Sequence, residues 1–350
     1  MPSPSGPSPK VSIVCAWYNR AEYLRDTVDS LLGQTYDDYD IVLVNDGSPD
    51  PRVRAILEGY SDPRLRVIHQ ENTGFVGAIR RAIEASSGEY IAVMGAGDVS
   101  YPDRLRVQAA LLDAHPEYIG VGSSYVNVTI DREGHAIARE ERIRAPLDID
   151  HAYITRRRGA PFTHGEVMYR RAIYERVGGY RPFYKFAQDL DLWLRMSRLG
   201  VFNLCPEVLY ERRSFLNDGI SADLRKYVVQ IGLANAAQIC SRQRSALGYD
   251  AVDVFGRDAA ILIAPDRFMA GLLARTAIKY LRGDMHAEAR LFSVLSRGGQ
   301  FHPLVPVTAA LVSLFGNERL RPLVRRLVAR IPVSENRQLV PIKVAGRIEG

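Results

Sequence analysis

Apolar positions set the plan of the first third of the chain. Short runs rich in β-branched residues, Val11 to Ala16, Ile41 to Val44, Leu65 to His69 and Tyr90 to Met94, each predict a strand. Between them the apolar residues recur three or four apart, at Leu24, Val28, Leu31 and Leu32 and again at Val76, Ile79 and Ile83, the stripe of a helix lying on a sheet. Asp50 before Pro51 marks a further helix start, a capping side chain ahead of a residue that needs no N–H. Strand and helix alternating in this way predict βαβ units and a largely parallel sheet. Pro102 is expected at the first helical position of the next helix, which leaves Asp98 in the loop leaving the fourth strand.

Beyond Gly120 the period changes. GVGSSYVNVTI alternates as a strand does, DREG turns the chain, and an Arg-rich loop is expected from Arg139 to Arg158. A strand from Glu166 to Tyr169, a short helix to Val177, a GGYRP turn, a helix from Asp189 to Leu199 and short strands near Val201 and Val208 follow. From Ser221 the pattern is helical, broken at Gly248, Pro265 and Pro303. The expected organisation is a Pro/Ser arm over 1–10, an α/β domain over 11–220 with halves 11–120 and 121–220, and a helical region over 221–350.

With 350 residues, 47% hydrophobic and 25% charged, the chain can bury a full core. Cys15, Cys205 and Cys240 lie far apart, which excludes a disulfide framework and a cysteine zinc site and fits a reducing cytoplasm. The arm MPSPSGPSPK has no apolar core and does not read as a signal peptide. The apolar run Pro303 to Gly316 falls short of the ~20 residues that span a bilayer. Of the net charge of +6, the last fifty residues hold eight Arg/Lys against three Glu, so the basic excess is local. Basic residues are not interleaved with aromatics, and no nucleic-acid partner is expected.

Ligands of an open parallel sheet bind at the carboxyl ends of its strands. There stand Trp17, Tyr18 and Asn19, then Asn45 and Asp46, then Asn72 and Gly74, then Asp98. Neither GxGxxG nor GxxxxGK[ST] is present, so a nucleotide would be held by other means.

In order, VSIVCAWYN, VNDGS, ENTGFVGAIRRAIEASSGEYIAVMGAGDVSYPDRLRVQ, HGEVMYRRAIYERVGGY and AQDLDLWLR resemble the inverting family-2 glycosyltransferases of the GT-A fold, over roughly Val11 to Ser221. The resemblance implies a Rossmann-like mixed, mainly parallel sheet flanked by helices, with the C-terminal helices as an extension. It also implies a nucleotide-sugar donor, UDP- or dTDP-linked, on the first half of the sheet and a glycan or lipid-linked acceptor on the second. Asp46 matches the acid that binds the nucleobase, where a carboxylate accepts a ring N–H. A turn-forming role in NDGS is the alternative. Ala16, Tyr18, Asn72, Gly74, Arg80, Gly97 and Asp98 match the remaining donor positions.

Asp189 matches the catalytic base, since a sugar hydroxyl attacks well only as a carboxylate takes its proton. The alternative is an acid favoured by the helix dipole. Gln188 replaces the usual Glu before it, and Trp193, Leu190 and Leu194 read as helix core, with Arg195 and Arg198 on its wet face. His164 reads as a structural residue.

Gly95 and Gly97 stand where relatives carry the DxD acids that hold a divalent metal. Two alternatives follow. Asp98 holds Mg2+ or Mn2+, or arginines neutralise the diphosphate: Arg80, Arg81, or Arg212 and Arg213 in YERRSFLNDGIS, which matches a loop that closes over the donor. The glycines themselves are expected to let phosphate or sugar approach the backbone.

ERLRPLVRRLVARIP is expected to form an amphipathic helix, Leu320, Val324, Leu327 and Val328 on one face and Arg321, Arg325 and Arg326 around it. It suits an anionic membrane surface or packing on the tail, which places the protein in the cytoplasm or on the inner face of the membrane. WYNRAEY stands where a nucleotidyltransferase needs a Gly/Lys-rich loop, which excludes that activity. The missing DxD leaves a non-catalytic nucleotide-sugar or glycan-binding protein as the second reading.

Overall fold

In the computed structural model the described residues are 9–157, 159–216, 224–261, 263, 266–297 and 301–331. Most of the expected N-terminal arm, the Asn217–Ser221 end of YERRSFLNDGIS, Pro265 and everything after Ile331 lie outside them. The chain divides into two compact units, 1–217 and 218–350.

The first unit opens with β1 (Val11–Trp17), α1 (Ala21–Leu32), β2 (Tyr39–Asp46), α2 (Pro51–Glu58), β3 (Leu65–Gln70), α3 (Gly74–Glu84) and β4 (Tyr90–Met94). Every residue of β1 is buried, as a central parallel strand covered on both faces must be. Helix α1 buries Ala21, Leu24, Thr27, Val28 and Leu31 against it. Asp50 caps α2 through the Arg52 amide with Pro51 in the first turn, a cap worth about 1 kcal/mol.

The second half differs from the expectation in several places. The chain continues as β5 (Val99–Ser100), α4 (Arg104–Ala114), β6 (Tyr118–Ile130), β7 (Ala136–Arg142), β8 (Leu147–Ile149), α5 (His151–Arg157), a 3-10 turn at His164–Glu166, β9 (Met168–Arg170), α6 (Arg171–Arg176), α7 (Gln188–Met196) and β10 (Val201–Phe215). The expected Arg-rich loop is thus two strands and a helix. Helix α4 starts two residues after Pro102, with Asp103 at its N-cap. The two short strands are one strand, bulged between Cys205 and Tyr210. Arg212 and Arg213 lie on that strand and not in a loop.

The sheet runs β3-β2-β1-β4-β9-β6-β10-β5, with β7 on β6 and β8 on β10. β2 and β4 flank β1 in parallel, so the strand order reverses between β1 and β4 and opens a crevice at their carboxyl ends. The residues leaving β1 and those leaving β4 face each other there.

In the second unit α8 (Leu224–Leu247), α9 (Ala251–Phe255), a 3-10 segment (256–261), α10 (Arg267–Arg282), α11 (His286–Ser296), α12 (Leu304–Phe315) and α13 (Arg321–Ala329) follow one another. Tyr280, Leu281, Phe292, Phe315, Val324 and Val328 belong to its core. The amphipathic face expected of α13 is therefore split. Val324 and Val328 point inward, while Leu320, Leu323 and Leu327 are exposed. Arg321 Nε donates to the Phe315 carbonyl at 3.3 Å, and Arg325 pairs with Asp284. Among the described residues no helix is long and apolar enough to cross a membrane.

Candidate active site

The crevice is built from the loops after β1 and β4. Leaving β1, Asn19 and Arg20 take left-handed backbone angles, φ 56° and 57°, unusual for residues with a side chain. The turn swings Arg20 across to the β4 loop. Its Nη1 donates to the Ala96 carbonyl at 2.8 Å, and its guanidinium lies 4.2 Å from the Phe215 ring centre.

Asp98 is held from the other side. Oδ2 accepts the Tyr210 hydroxyl at 2.6 Å, Oδ1 accepts the Arg213 amide at 2.8 Å, and its carbonyl accepts the Thr27 hydroxyl at 2.7 Å. Burial pushes its carboxyl up, while Tyr210, the Arg213 amide and the charges of Arg212 and Arg20 pull it down. The glycines are not gaps for a ligand, as the sequence suggested. A Cβ on Gly95 would lie 2.2 Å from Asp98 Oδ2 and 3.0 Å from the Tyr210 hydroxyl; one on Gly97, at φ 94°, would lie 3.1 Å from the Phe215 ring. Both spaces are filled by the protein itself.

This donor set does not fit a divalent metal. Each Asp98 oxygen already accepts a protein hydrogen bond, a side chain at position 95 would collide with Asp98 itself and one at position 97 would be strained at φ 94° and tight against Phe215, and the described residues hold no cluster of three metal-ligating side chains. Asp98 as a metal ligand is thereby disfavoured on the chemistry of its surroundings.

Asp46, 3% exposed, fastens the loop between β3 and α3. Its Oδ1 accepts from the Thr73 amide at 2.8 Å, the Thr73 hydroxyl at 3.1 Å and the Gln70 side chain at 2.8 Å. The turn-forming role belongs to its neighbour Asn45, whose Oδ1 accepts the Ser48 amide at 3.2 Å. Asn72 and Gly74 lie exposed on the loop that Asp46 holds, and Gly74 needs its positive φ of 77°. Ala16 is buried in β1 and Tyr18 is 47% exposed beyond it. Arg80 faces Glu84 at 3.8 Å one turn on along α3, and its charge reaches Tyr174, which packs on Tyr180.

Asp189 occupies the first turn of α7, behind Ala187 in a left-handed conformation. A buried network fixes that helix. Asp191 pairs with Arg195 at 2.7 Å and with Arg181, and Arg195 donates to the carbonyls of Val177 at 2.6 Å and Gly179 at 2.8 Å. Arg195, 5% exposed, is therefore not on the wet face. It locks the GGYR turn onto α7. Trp193 is core, as expected, packed edge-on to Tyr169 and Phe202.

His164 links the two halves, a role the sequence reading missed. Its Nε2 sits 2.5 Å from the Tyr180 hydroxyl, and its ring lies edge-on to Phe75 at the head of α3. Burial holds its imidazole below the ordinary range, and the nearby negative charge of Asp189 works against that. The next residue, Gly165, abuts the β4 loop: a Cβ there would meet the Tyr210 hydroxyl at 1.9 Å and the Gly95 nitrogen at 3.0 Å. Glu166 follows, fully buried and paired with Arg144 at 2.7 Å, its carboxyl pushed up to about 7 by burial. The 3-10 turn thus touches the Asp98 loop and the head of α3, and the charge of Asp189 reaches it.

Comparison with known proteins fits this geometry. The family model Glycosyl transferase family 2 matches residues 12–178, a span that stops short of Asp189. EpsE of Bacillus subtilis, a provisionally assigned glycosyltransferase, is 31% identical over 212 residues, 59% of this chain and 73% of its own length. The amylovoran biosynthesis glycosyltransferase AmsE of Erwinia amylovora is 29% identical over 209 residues, 58% and 76% of the two chains. Chondroitin synthase of Escherichia coli is 28% identical over 242 residues, 69% of this chain, which spans only 33% of that protein. A solved structure of S. aureus TarS is 14% identical, covers 88% of this chain and 91% of that one, and has a TM-score of 0.47, a likeness too low to bear on function. With a relative more than 30% identical matched over most of its length, the chain belongs to the family 2 glycosyltransferases.

Proposed function

We propose that this glycosyltransferase moves a sugar from a nucleotide-diphosphate donor, UDP- or dTDP-linked, to a hydroxyl of a glycan or lipid-linked acceptor with inversion. Asp189 takes the proton of the acceptor hydroxyl as its oxygen attacks the anomeric carbon. The bond from that carbon to the phosphate oxygen breaks on the opposite face, and the nucleoside diphosphate leaves with the electron pair. The observation that supports the reading is the set of interactions at His164. The charge of Asp189 reaches its buried ring, which also meets Phe75 at the head of α3, beside the loop that Asp46 fastens. On this reading a base and a nucleotide-binding loop share one crevice.

Relatives named for amylovoran biosynthesis and as chondroitin synthase favour a bacterial polysaccharide as the setting. The same reading places the chain in the cytoplasm, against the inner face of the membrane. It rests on the exposed Leu320, Leu323 and Leu327 beside Arg319, Arg326 and Arg330.

The decisive experiment is Asp189→Asn. Sugar transfer is expected to fall by roughly 10²–10⁴-fold with donor affinity retained. Transfer at the wild-type rate would remove Asp189 as the base. Absence of transfer by the wild type, with every donor and acceptor tried, would favour the non-catalytic binding protein.

A further inference from the structure

We propose that the donor diphosphate is bound without a divalent metal and that Arg20, fixed at the mouth of the β1–β4 crevice, is the cation that holds it. The inference rests on the nucleotide-sugar reading above.

The sign of the charge around the β4 loop decides between the two ways of meeting a diphosphate. A metal-holding loop gathers carboxylates, because it must first attract a dication. This loop does the opposite. Around Asp98, Asp26 and Glu211 stand Arg20, Arg212, Arg213 and Arg139, and the charges of Glu22 and Asp131 reach Tyr23 beside them. Arg213 is spent on Asp26 at 2.9 Å and Glu211 at 3.4 Å, and Arg139 on Glu211 at 2.6 Å. The charges of Arg20 and Arg212 are the ones that reach Asp98.

A fifth cation lies beneath. Arg104 is fully buried with its guanidinium 5.1 Å from the Tyr210 ring centre, and it donates to the Val93 carbonyl at 2.9 Å and to Gln108 at 3.1 Å. No carboxylate is ion-paired with it among the described residues, while the charges of Glu166 and Asp98 reach it, and although burial pushes it down to about 10, it stays charged at neutral pH. The positive charges of Arg20 and Arg212 at Asp98 repel a second cation there and attract an anion.

Within that field Arg20 has the right placement and rigidity. The left-handed turn at Asn19 and Arg20, the bond to the Ala96 carbonyl and the Phe215 ring fix its guanidinium at the carboxyl ends of β1 and β4, where this topology places ligands. A planar guanidinium suits phosphate oxygens, and a cation already in position costs no reorganisation as charge develops on the leaving group.

The test titrates the full chain with UDP, dTDP and GDP and with the matching monophosphates, in EDTA and in Mn2+. At least one diphosphate is expected to bind in EDTA within about threefold of its affinity in Mn2+. Arg20→Ala should weaken that diphosphate about tenfold or more and the monophosphate by less than about threefold. Arg20→Lys should fall between, keeping a charge without the fork of donors. Monophosphate binding also reports that each variant is folded. If Arg20→Ala fails this control, Arg20→Lys carries the test, and an unchanged diphosphate preference in it overturns the inference. Binding that needs Mn2+, or an equal loss for both nucleotides, overturns the inference and leaves the glycosyltransferase reading standing. Binding of no nucleotide under either condition overturns the donor reading itself, and the inference with it.

Discussion

The Tyr210 hydroxyl donates to Asp98 at 2.6 Å and accepts from the Gly95 amide at 3.0 Å, so the phenol and the Asp98 carboxylate together fill the space a side chain at position 95 would need. The phenol from β10 and the carboxylate from the β4 loop thus occupy the place where the family resemblance implies the first acid of a metal pair.

Gly95→Asp is accordingly expected to destabilise the protein and to create no metal site. The new Cβ would lie 2.2 Å from Asp98 Oδ2, and a second carboxylate would sit against the first. A loss of about 1–3 kcal/mol follows from the overpacking alone. Thermal denaturation with and without Mn2+ checks this. A midpoint that Mn2+ raises in the variant would show that the loop opens to accept the ion.

His164 offers a measure of where Asp189 points that is independent of turnover. The negative charge of Asp189 favours the imidazolium, against the effect of burial. In Asp189→Asn that support is lost, and the His164 pKa should fall further below its ordinary value. An NMR titration of the ring protons reads the shift. An unchanged value would mean that the Asp189 carboxylate is turned away from the crevice.

Much of the fold was legible because its strands are buried on both faces and leave unbroken apolar runs, as β1 and β4 do. β7 was not, since all seven of its residues are exposed and AIAREER carries no alternation. An edge strand in water needs none, and its charges discourage further pairing. β10 looked like two strands because Pro206 and Glu207 fall at its bulge. The acids Asp46, Asp98 and Asp189 were found from motif order. Arg20 was missed one residue beyond the strand-end set Trp17, Tyr18 and Asn19, although a cation leaving the first strand at a reversal of strand order was a signal to follow. His164 was set aside because its partners, Phe75, Tyr180 and Asp189, are distant in sequence and meet only in the fold.

Stability should depend on pH through Glu166. Its carboxyl is raised by burial to about 7 from an ordinary 4.5, so the stability it contributes is full below about 4.5 and is lost as pH rises through about 7. Relative to Glu166→Gln, the wild type should lose about 3 kcal/mol across that interval. Urea denaturation of both proteins at several pH values tests the sign. A gap that stays constant, or that moves in favour of the wild type as pH rises, would mean that Arg144 holds Glu166 ionised throughout.

The last helix divides one amphipathic sequence between two jobs, and substitutions should separate them. Val324 and Val328, each 1% exposed, lie in the core of the helical unit, so an acid at Val328 buries an unpaired charge and should cost about 3 kcal/mol or more. Leu323, 54% exposed, and Leu327, 43% exposed, make no such demand. Leu323→Glu with Leu327→Glu should leave thermal stability within about 0.5 kcal/mol. If the exposed leucines and neighbouring arginines lie on a membrane, the same pair should abolish sedimentation with vesicles rich in anionic lipid, because it removes apolar area and places acids against a negative surface. Co-sedimentation unchanged in the double variant, or absent in the wild type, would assign the face to solvent and leave Val324 and Val328 as the reason the helix is amphipathic.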